Sequence, residues 1–201
     1  MTRIVLASGN PGKLRELSAL LAPLKLSLVP QHELGITAAE ECGADFLANA
    51  LLKARHAARH ARLAALADDS GLEVDALDGR PGVFSARFAG EGASDEDNCR
   101  RLLEELRAVP ESQRRACYRC VIALVRSAAD PAPLIAQGSW EGHIVRTPRG
   151  SGGFGYDPLF VPLGERRSAA ELTPGEKNAV SHRGKALREL VARLSSSGYI
   201  A

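Results

Sequence analysis

Two carboxylates in succession, Asp68 and Asp69, close the apolar run of "LAALADDSG" (63–71). An ionised carboxylate at the end of a buried strand is costly unless it is paired or bound to a metal. Glu40 and Glu41 stand in an earlier loop, with Asp45 nearby. A Mg²⁺ site typically uses one or two carboxylates, several waters and substrate phosphates. The Asp pair plus one distant Glu has that composition, with a further carboxylate free to act as a base. The competing reading of "DSG" is a solvated turn.

A second chemical element is "SGNPGK" (8–13), which follows the apolar "RIVLA". It is not a Walker A loop: Gly9 lies only three residues before Gly12, and Leu14 occupies the place of the magnesium-binding hydroxyl. The physical ingredients of phosphate binding are nevertheless present in a strand end, a glycine turn, a helix N-terminus and a lysine. Lys13 falls in the first helical turn, where the macrodipole disfavours a cation, and a bound anion would reverse that penalty. The alternative is an ordinary β-α turn with a helix cap.

Two segments have the chemistry to read a base. Gly150, Gly152 and Gly155 match G-x-G-x-x-G, but Tyr156, Asp157 and Pro158 follow where a dinucleotide-binding helix would start. What is left is a loop presenting Phe154, Tyr156 and Asp157, two rings to stack on a base and a carboxylate for its edge. Its plainer reading is a structural turn with two core aromatics. In "TPGEKNAVSHRGKAL" (173–187), Lys177, His182 and Arg183 offer donors to a keto-purine and its phosphates. Thr173, Pro174 and Glu176 form a capping-box pattern and Ser181 a second cap, so the plainer reading is two charged helix starts.

Other patterns are set aside. His56 and His60 have a zinc-like spacing, but Ala57 replaces the glutamate and Arg55, Arg59 and Arg62 surround them, as on a solvated basic face. Lys53 on the same segment is either solvated or reaches a phosphate. Cys117 and Cys120 lie three apart in a strand-like run, hence on opposite faces, and no second pair completes a zinc site. All four cysteines read as reduced structural thiols.

The elements that must position these groups alternate at first. "RIVLAS" is a strand; Leu14, Leu17, Leu20, Leu21 and Leu24 predict a helix over 12–22; "KLSLV" (25–29) is a second strand. An Ala-rich helix spans 44–62, with strands at 63–68 and 72–77. A helix over 95–107 has Ser94 as N-cap. Strands at 117–126 and 133–145, the apolar "LFVPL" and a C-terminal helix carrying Leu187, Leu190, Val191 and Leu194 complete the chain. Alternation giving way to consecutive strands predicts an α/β fold with a mixed sheet.

The 201 residues, 45% hydrophobic and 25% charged, suit one globular α/β domain over 1–201. A net charge of +2 is too small to coat nucleic acid, so an anionic partner is small and local. No apolar run has the length of a membrane span and the N-terminus lacks a signal-type pattern, so no membrane and a cytoplasmic location are expected.

Taken together, "LASGNPGKLREL", "NALLKARHAA", "ADDSGLEVDALDGRPGVFSAR", "GGFGYDPLF" and "AELTPGEKNAVSHRGKAL" resemble the inosine triphosphate pyrophosphatase family, in its order, from residue 6 to about 187. The resemblance implies an elongated two-lobed fold with a central mixed β-sheet flanked by helices, the nucleotide in a cleft between lobes, and usually a homodimer. It implies hydrolysis of ITP, dITP and XTP to monophosphate and pyrophosphate with Mg²⁺. Ser8, Gly9, Asn10, Pro11, Gly12 and Lys13 would hold the triphosphate. Asp69 would be the general base and a metal-linked carboxylate, with Asp68 beside it and Glu40 or Glu41 completing the metal site. Ser70 and Lys53 would contact phosphate or ribose. Phe154, Gly155, Tyr156, Asp157, Lys177, His182 and Arg183 would form the base pocket. Asp45 and Ala48 depart from the family's usual hydroxyl residue and Glu, which puts the acidic cluster's metal affinity in question. A pyrophosphatase for modified pyrimidine nucleotides and a nucleotide-binding regulator without turnover are the competing classes; the acidic cluster argues against the second.

Overall fold

A computed structural model describes residues 3–22, 26–197 and 199. Six strands form one sheet in the order β2-β1-β3-β4-β5-β6: β1 (Arg3–Leu6), β2 (Ser27–Pro30), β3 (Ala64–Val74), β4 (Arg115–Val125), β5 (Leu134–Ile144) and β6 (Phe160–Pro162). β1 runs parallel to both β2 and β3, whereas β5 and β6 are antiparallel. The sheet is therefore mixed, as the β-α alternation followed by consecutive strands predicts. The helices are α1 (Pro11–Leu21), α2 (Phe46–Ala61), α3 (Asp95–Glu105), α4 (Pro174–Val180) and α5 (His182–Ser197). Leu24 and Lys25, placed by the sequence in the first helix face and second strand, lie outside the described residues.

The chain divides into two compact units. The first comprises the residues up to Asp69, then Cys120–Gly138 and those from Arg183 on; the second comprises Ser70–Arg119 and Ser139–His182. Ile4, Leu6, Leu17, Leu66, Ile122, Leu187 and Leu190 pack the first unit's core. Parallel strands are buried on both faces, and so β1 reads as a continuous apolar run rather than an alternating one. The second core gathers Leu72, Val74, Leu102, Leu106, Tyr118, Trp140 and Phe160, with the Tyr118 ring edge-on to Phe160 at 4.8 Å between centroids.

Local chemistry explains the helix ends. Asn10 caps α1, with its side-chain oxygen accepting from the Gly12 and Lys13 N–H groups at 2.8 and 3.1 Å, and Pro11 opens the first turn. Ser94 and Asp97 form a full capping box on α3, as do Thr173 and Glu176 on α4. Ser181 separates α4 from α5.

The structure corrects the sequence reading in one informative place. Residues 63–68 and 72–77 are not two strands flanking a turn. A single strand, β3, runs through "DDSG" to Val74, and residues 75–77 form a 3₁₀ turn. The turn preference of Asp-Ser-Gly is overridden because Asp68 and Asp69 find charged partners within the first unit, described below.

Among the described residues no helix is long and apolar enough to cross a membrane. In the second unit, Gly142 on β5 faces Pro162 on β6, and a Cβ there would sit 2.3 Å from the Val161 carbonyl oxygen and 2.7 Å from the Phe160 ring. Gly142→Ala is expected to destabilise the protein by about 2 kcal/mol or more, through overpacking against backbone that cannot yield. Urea titration should show a lower midpoint at unchanged slope.

Candidate active site

Successive residues of a strand point to opposite faces, so Asp68 and Asp69 occupy different surroundings although both are buried. Asp68 Oδ2 lies 3.2 Å from Lys13 Nζ on α1 and 3.3 Å from both Nε and Nη2 of Arg183 on α5. Arg183 is itself buried and donates from Nη1 to Glu16 on α1. Burial works against the Asp68 anion, but the fields of Lys13, Arg183 and Lys53 outweigh it and hold this carboxyl well below the usual range. The anion that offsets Lys13 at the start of α1 is thus Asp68.

Asp69 is served by α2. Its Oδ1 lies 2.7 Å from Lys53 Nζ and its Oδ2 accepts from Asn49 Nδ2 at 3.3 Å. Asn49 and Lys53 are four apart and so share one face of the helix. Here burial prevails over the attraction of Lys53 and Lys13, and the Asp69 carboxyl is raised. Two neighbouring carboxylates held on opposite sides of their ordinary value is the pattern by which sites separate a fixed anion from a proton acceptor.

Lys53 Nζ also meets Glu41 Oε1 at 2.8 Å. Glu41 and Asp69 therefore converge on one cationic point, whereas Glu40 is exposed. Among the described residues no three His, Cys, Asp or Glu side chains cluster closely enough to hold a metal ion. Mg²⁺ is commonly held by one or two carboxylates with the remaining positions filled by water and phosphate oxygens. The hard oxygen donors of Asp69 and Glu41 fit that requirement.

Asp45, one of the two departures from the family pattern, is not part of this cluster. It is the N-cap of α2, its Oδ1 accepting from the Ala48 N–H at 2.8 Å. A hydroxyl residue and a Glu at these two positions would form a capping box, so the difference concerns the helix start.

The "SGNPGK" loop is tighter than an open phosphate cradle. The Asn10 side chain already engages the Gly12 and Lys13 N–H groups, and the Ser8 hydroxyl accepts from the Asn10 N–H at 3.2 Å. Gly9 borders open space, with nothing within 4 Å of where a Cβ would stand.

In the second unit the glycine loop is held from within. Asp157 is buried, and its Oδ2 accepts from the Phe154 N–H at 3.0 Å and from Lys177 Nζ at 2.6 Å. Lys177 Nζ also lies 4.7 Å from the Phe154 ring centroid. Gly153 has φ +74°, and a Cβ on it would fall 2.0 Å from Asp157 Oδ2. The Tyr156 ring is buried and its hydroxyl donates to the Ser85 carbonyl at 2.8 Å. The sequence expectation of a loop displaying both aromatics and a free carboxylate is corrected: Phe154 alone of the three is half-exposed. His182 is buried and stacks on Tyr118, centroids 4.7 Å apart and 6° from parallel.

The remaining candidates behave as bystanders. His56 Nε2 lies 3.0 Å from the Thr37 carbonyl oxygen and its ring 4.5 Å from that of His60. Cys99 and Cys120 are buried, and burial pushes each thiol up to about 12, far from the thiolate that metal binding requires. Cys42 is exposed, so the reading of all four as structural thiols does not extend to it.

Two residues of the cluster escaped the sequence reading. Asn49 sits inside the motif "NALLK", where its spacing of four from Lys53 was a usable signal. Glu16 had none, because its partner Arg183 lies 167 residues away.

Comparison with known proteins gives a consistent result. Residues 4–193 match the model of the Ham1 family. A dITP/XTP pyrophosphatase of Shigella flexneri is 54% identical over 194 residues, covering 96% of this chain and 98% of that protein. One from Methylococcus capsulatus is 58% identical over 192 residues, covering 96% of each. The solved structure of a HAM1 protein from Coxiella burnetii, 51% identical, superimposes with a TM-score of 0.91 over 98% of this chain and 100% of that one.

Arg183→Ala leaves Asp68 buried with one of its cations gone, and is expected to cost about 3–5 kcal/mol of stability. The native Asp68 carboxyl lies below its unfolded value, so its stabilising contribution is complete above about pH 4 and is lost as the pH falls further. The gap between wild type and variant in urea titrations should therefore narrow below about pH 4, where protonation relieves the stranded carboxylate.

Proposed function

This chain belongs to the Ham1 family, and on that premise we propose that it hydrolyses dITP, ITP and XTP to the nucleoside monophosphate and pyrophosphate. The observation that carries the reading is the division of labour between Asp68 and Asp69, with Lys13 and Lys53 beside them. It is supported by the dITP/XTP pyrophosphatases that this chain resembles at more than half identity over nearly its whole length.

In this reading the triphosphate lies along Ser8–Lys13, with Ser70 and Lys53 adding contacts to phosphate or ribose. Asp69 accepts a proton from water as its oxygen bonds to phosphorus; the bond between the α and β phosphates breaks and pyrophosphate leaves with the electron pair. Burial raises the Asp69 carboxyl, the direction that suits a proton acceptor better than a fixed anion. Asp68 stays ionised and keeps Lys13 and Arg183 in place. Lys13 and Lys53 offset charge that builds on the leaving pyrophosphate. Mg²⁺, when bound, would be held by Asp69 and Glu41 and would further neutralise the phosphates; Glu41 is preferred over Glu40 because it shares the Lys53 ammonium with Asp69.

Base selection is assigned to Phe154, Gly155, Lys177 and His182, with Tyr156 and Asp157 holding the loop; Arg183, which the resemblance also implies there, is instead buried and committed to Asp68 and Glu16. The Lys177 ammonium is a donor only, so it can donate to the 6-oxo group of hypoxanthine and xanthine, whereas the 6-amino group of adenine would face it with another donor. GTP shares the 6-oxo edge and must be refused at its 2-amino group. A homodimer, implied by the family resemblance, and a cytoplasmic location belong to the same proposal.

Asp69→Asn is expected to lower kcat by about 10²-fold or more while nucleotide binding persists; near-wild-type turnover would remove Asp69 from the role. The kcat/KM values for ITP, dITP and XTP should exceed those for ATP and GTP by about 10²-fold or more. Equal values across all five would overturn the proposed function.

A further inference from the structure

Asn49 is fully buried on α2. A buried amide is costly unless both of its ends are bonded, and an apolar residue would fill the same space without that penalty. Both ends of Asn49 are used, each on a part of the acidic cluster. Oδ1 accepts from the Gly43 N–H at 2.8 Å, and Nδ2 donates to Asp69 Oδ2 at 3.3 Å. The orientation follows from chemistry: the Gly43 N–H only donates, so it takes the amide oxygen and leaves the NH₂ group facing the carboxylate.

Gly43 allows this approach. A Cβ there would stand 2.6 Å from Asn49 Oδ1, 2.8 Å from the Asn49 backbone nitrogen and 2.9 Å from the Ala48 Cβ. The chain that carries Glu41 is thus drawn onto the amide at a position that has no room for a side chain. One helical turn on, Lys53 takes the other oxygen of Asp69 together with Glu41. The two oxygens of Asp69 are therefore held separately, by an uncharged donor and a cation on one rigid helix face. A planar carboxylate gripped at both oxygens has its rotation about the Cβ–Cγ bond removed.

We propose that Asn49 is a positioning residue for the hydrolysis, orienting the Asp69 carboxylate and tethering the Glu41 loop through the Gly43 N–H. This rests on the pyrophosphatase reading above. Asn49 acts through Asp69, so its loss is felt after substrate has bound.

The experiment compares Asn49→Ala and Gly43→Ala with the wild-type enzyme, measuring kcat and KM for dITP at saturating Mg²⁺ and recording folding by circular dichroism at the assay temperature. The first strikes the amide directly; the second pushes the loop off it and leaves Asp69 untouched. Asn49→Ala should lower kcat about ten- to hundredfold with KM within about threefold of wild type, and Gly43→Ala should move kcat in the same direction. A folded Asn49→Ala enzyme with kcat within about threefold of wild type would overturn the proposal, as would a rise in KM at constant kcat, which marks a substrate contact. If Asn49→Ala does not fold, Gly43→Ala decides, and a wild-type kcat there overturns it. A wild-type protein inactive on dITP and XTP removes the functional reading and the proposal with it, whereas active wild type with unaffected variants removes the proposal alone.

Discussion

Two adjacent charges buried in the middle of a strand cannot be neutralised from one side. Strand alternation sends Asp68 and Asp69 to opposite faces of β3, so each needs its own cation, and the layout of the first unit answers that need. Lys13 from α1 and Arg183 from α5 serve one carboxylate, and Lys53 from α2 serves the other. Three helices are tied to β3 by charge as well as by apolar packing. The same pairs let the strand continue through Asp-Ser-Gly, a sequence that elsewhere turns.

The two networks are built for different ends. Around Asp68 the charges pair among themselves: the buried Arg183 spans from Asp68 to the partly buried Glu16, and the partly buried Lys13 completes the set. Buried pairs of this kind seldom add net stability over an apolar core, yet breaking one is expensive. They act as a fixed frame. Around Asp69 the single ammonium of Lys53 is shared with Glu41, and burial raises the carboxyl instead of lowering it. That carboxyl is bonded at one oxygen by Asn49 and at the other by Lys53, and its environment disfavours the charged form more than that of Asp68 does.

The second unit uses the same logic on a smaller scale. Asp157 is spent on the Phe154 N–H and on Lys177, and Tyr156 on the Ser85 carbonyl. These bonds order a loop with three left-handed glycines, at 150, 153 and 155, that would otherwise carry high conformational entropy. The Phe154 ring and the Lys177 ammonium above it are what that ordering sets in place.

The sequence by itself determined the α/β class, the mixed character of the sheet, the caps at Ser94 and Thr173, and the residue types of the acidic and basic cluster. All of these are written in short-range signals: apolar periodicity, capping spacings and motifs a few residues long. The tertiary structure decided that "ADDSG" is mid-strand, that Arg183 is paired with Asp68 and Glu16, that Glu41 and not Glu40 meets Lys53, and that Tyr156 and Asp157 are buried. Each of these depends on partners 12 to 167 residues apart in the chain. No local pattern encodes such pairs, because the energy that selects them, the desolvation of a charge and its recovery by a counter-charge, exists only once the chain has folded around it.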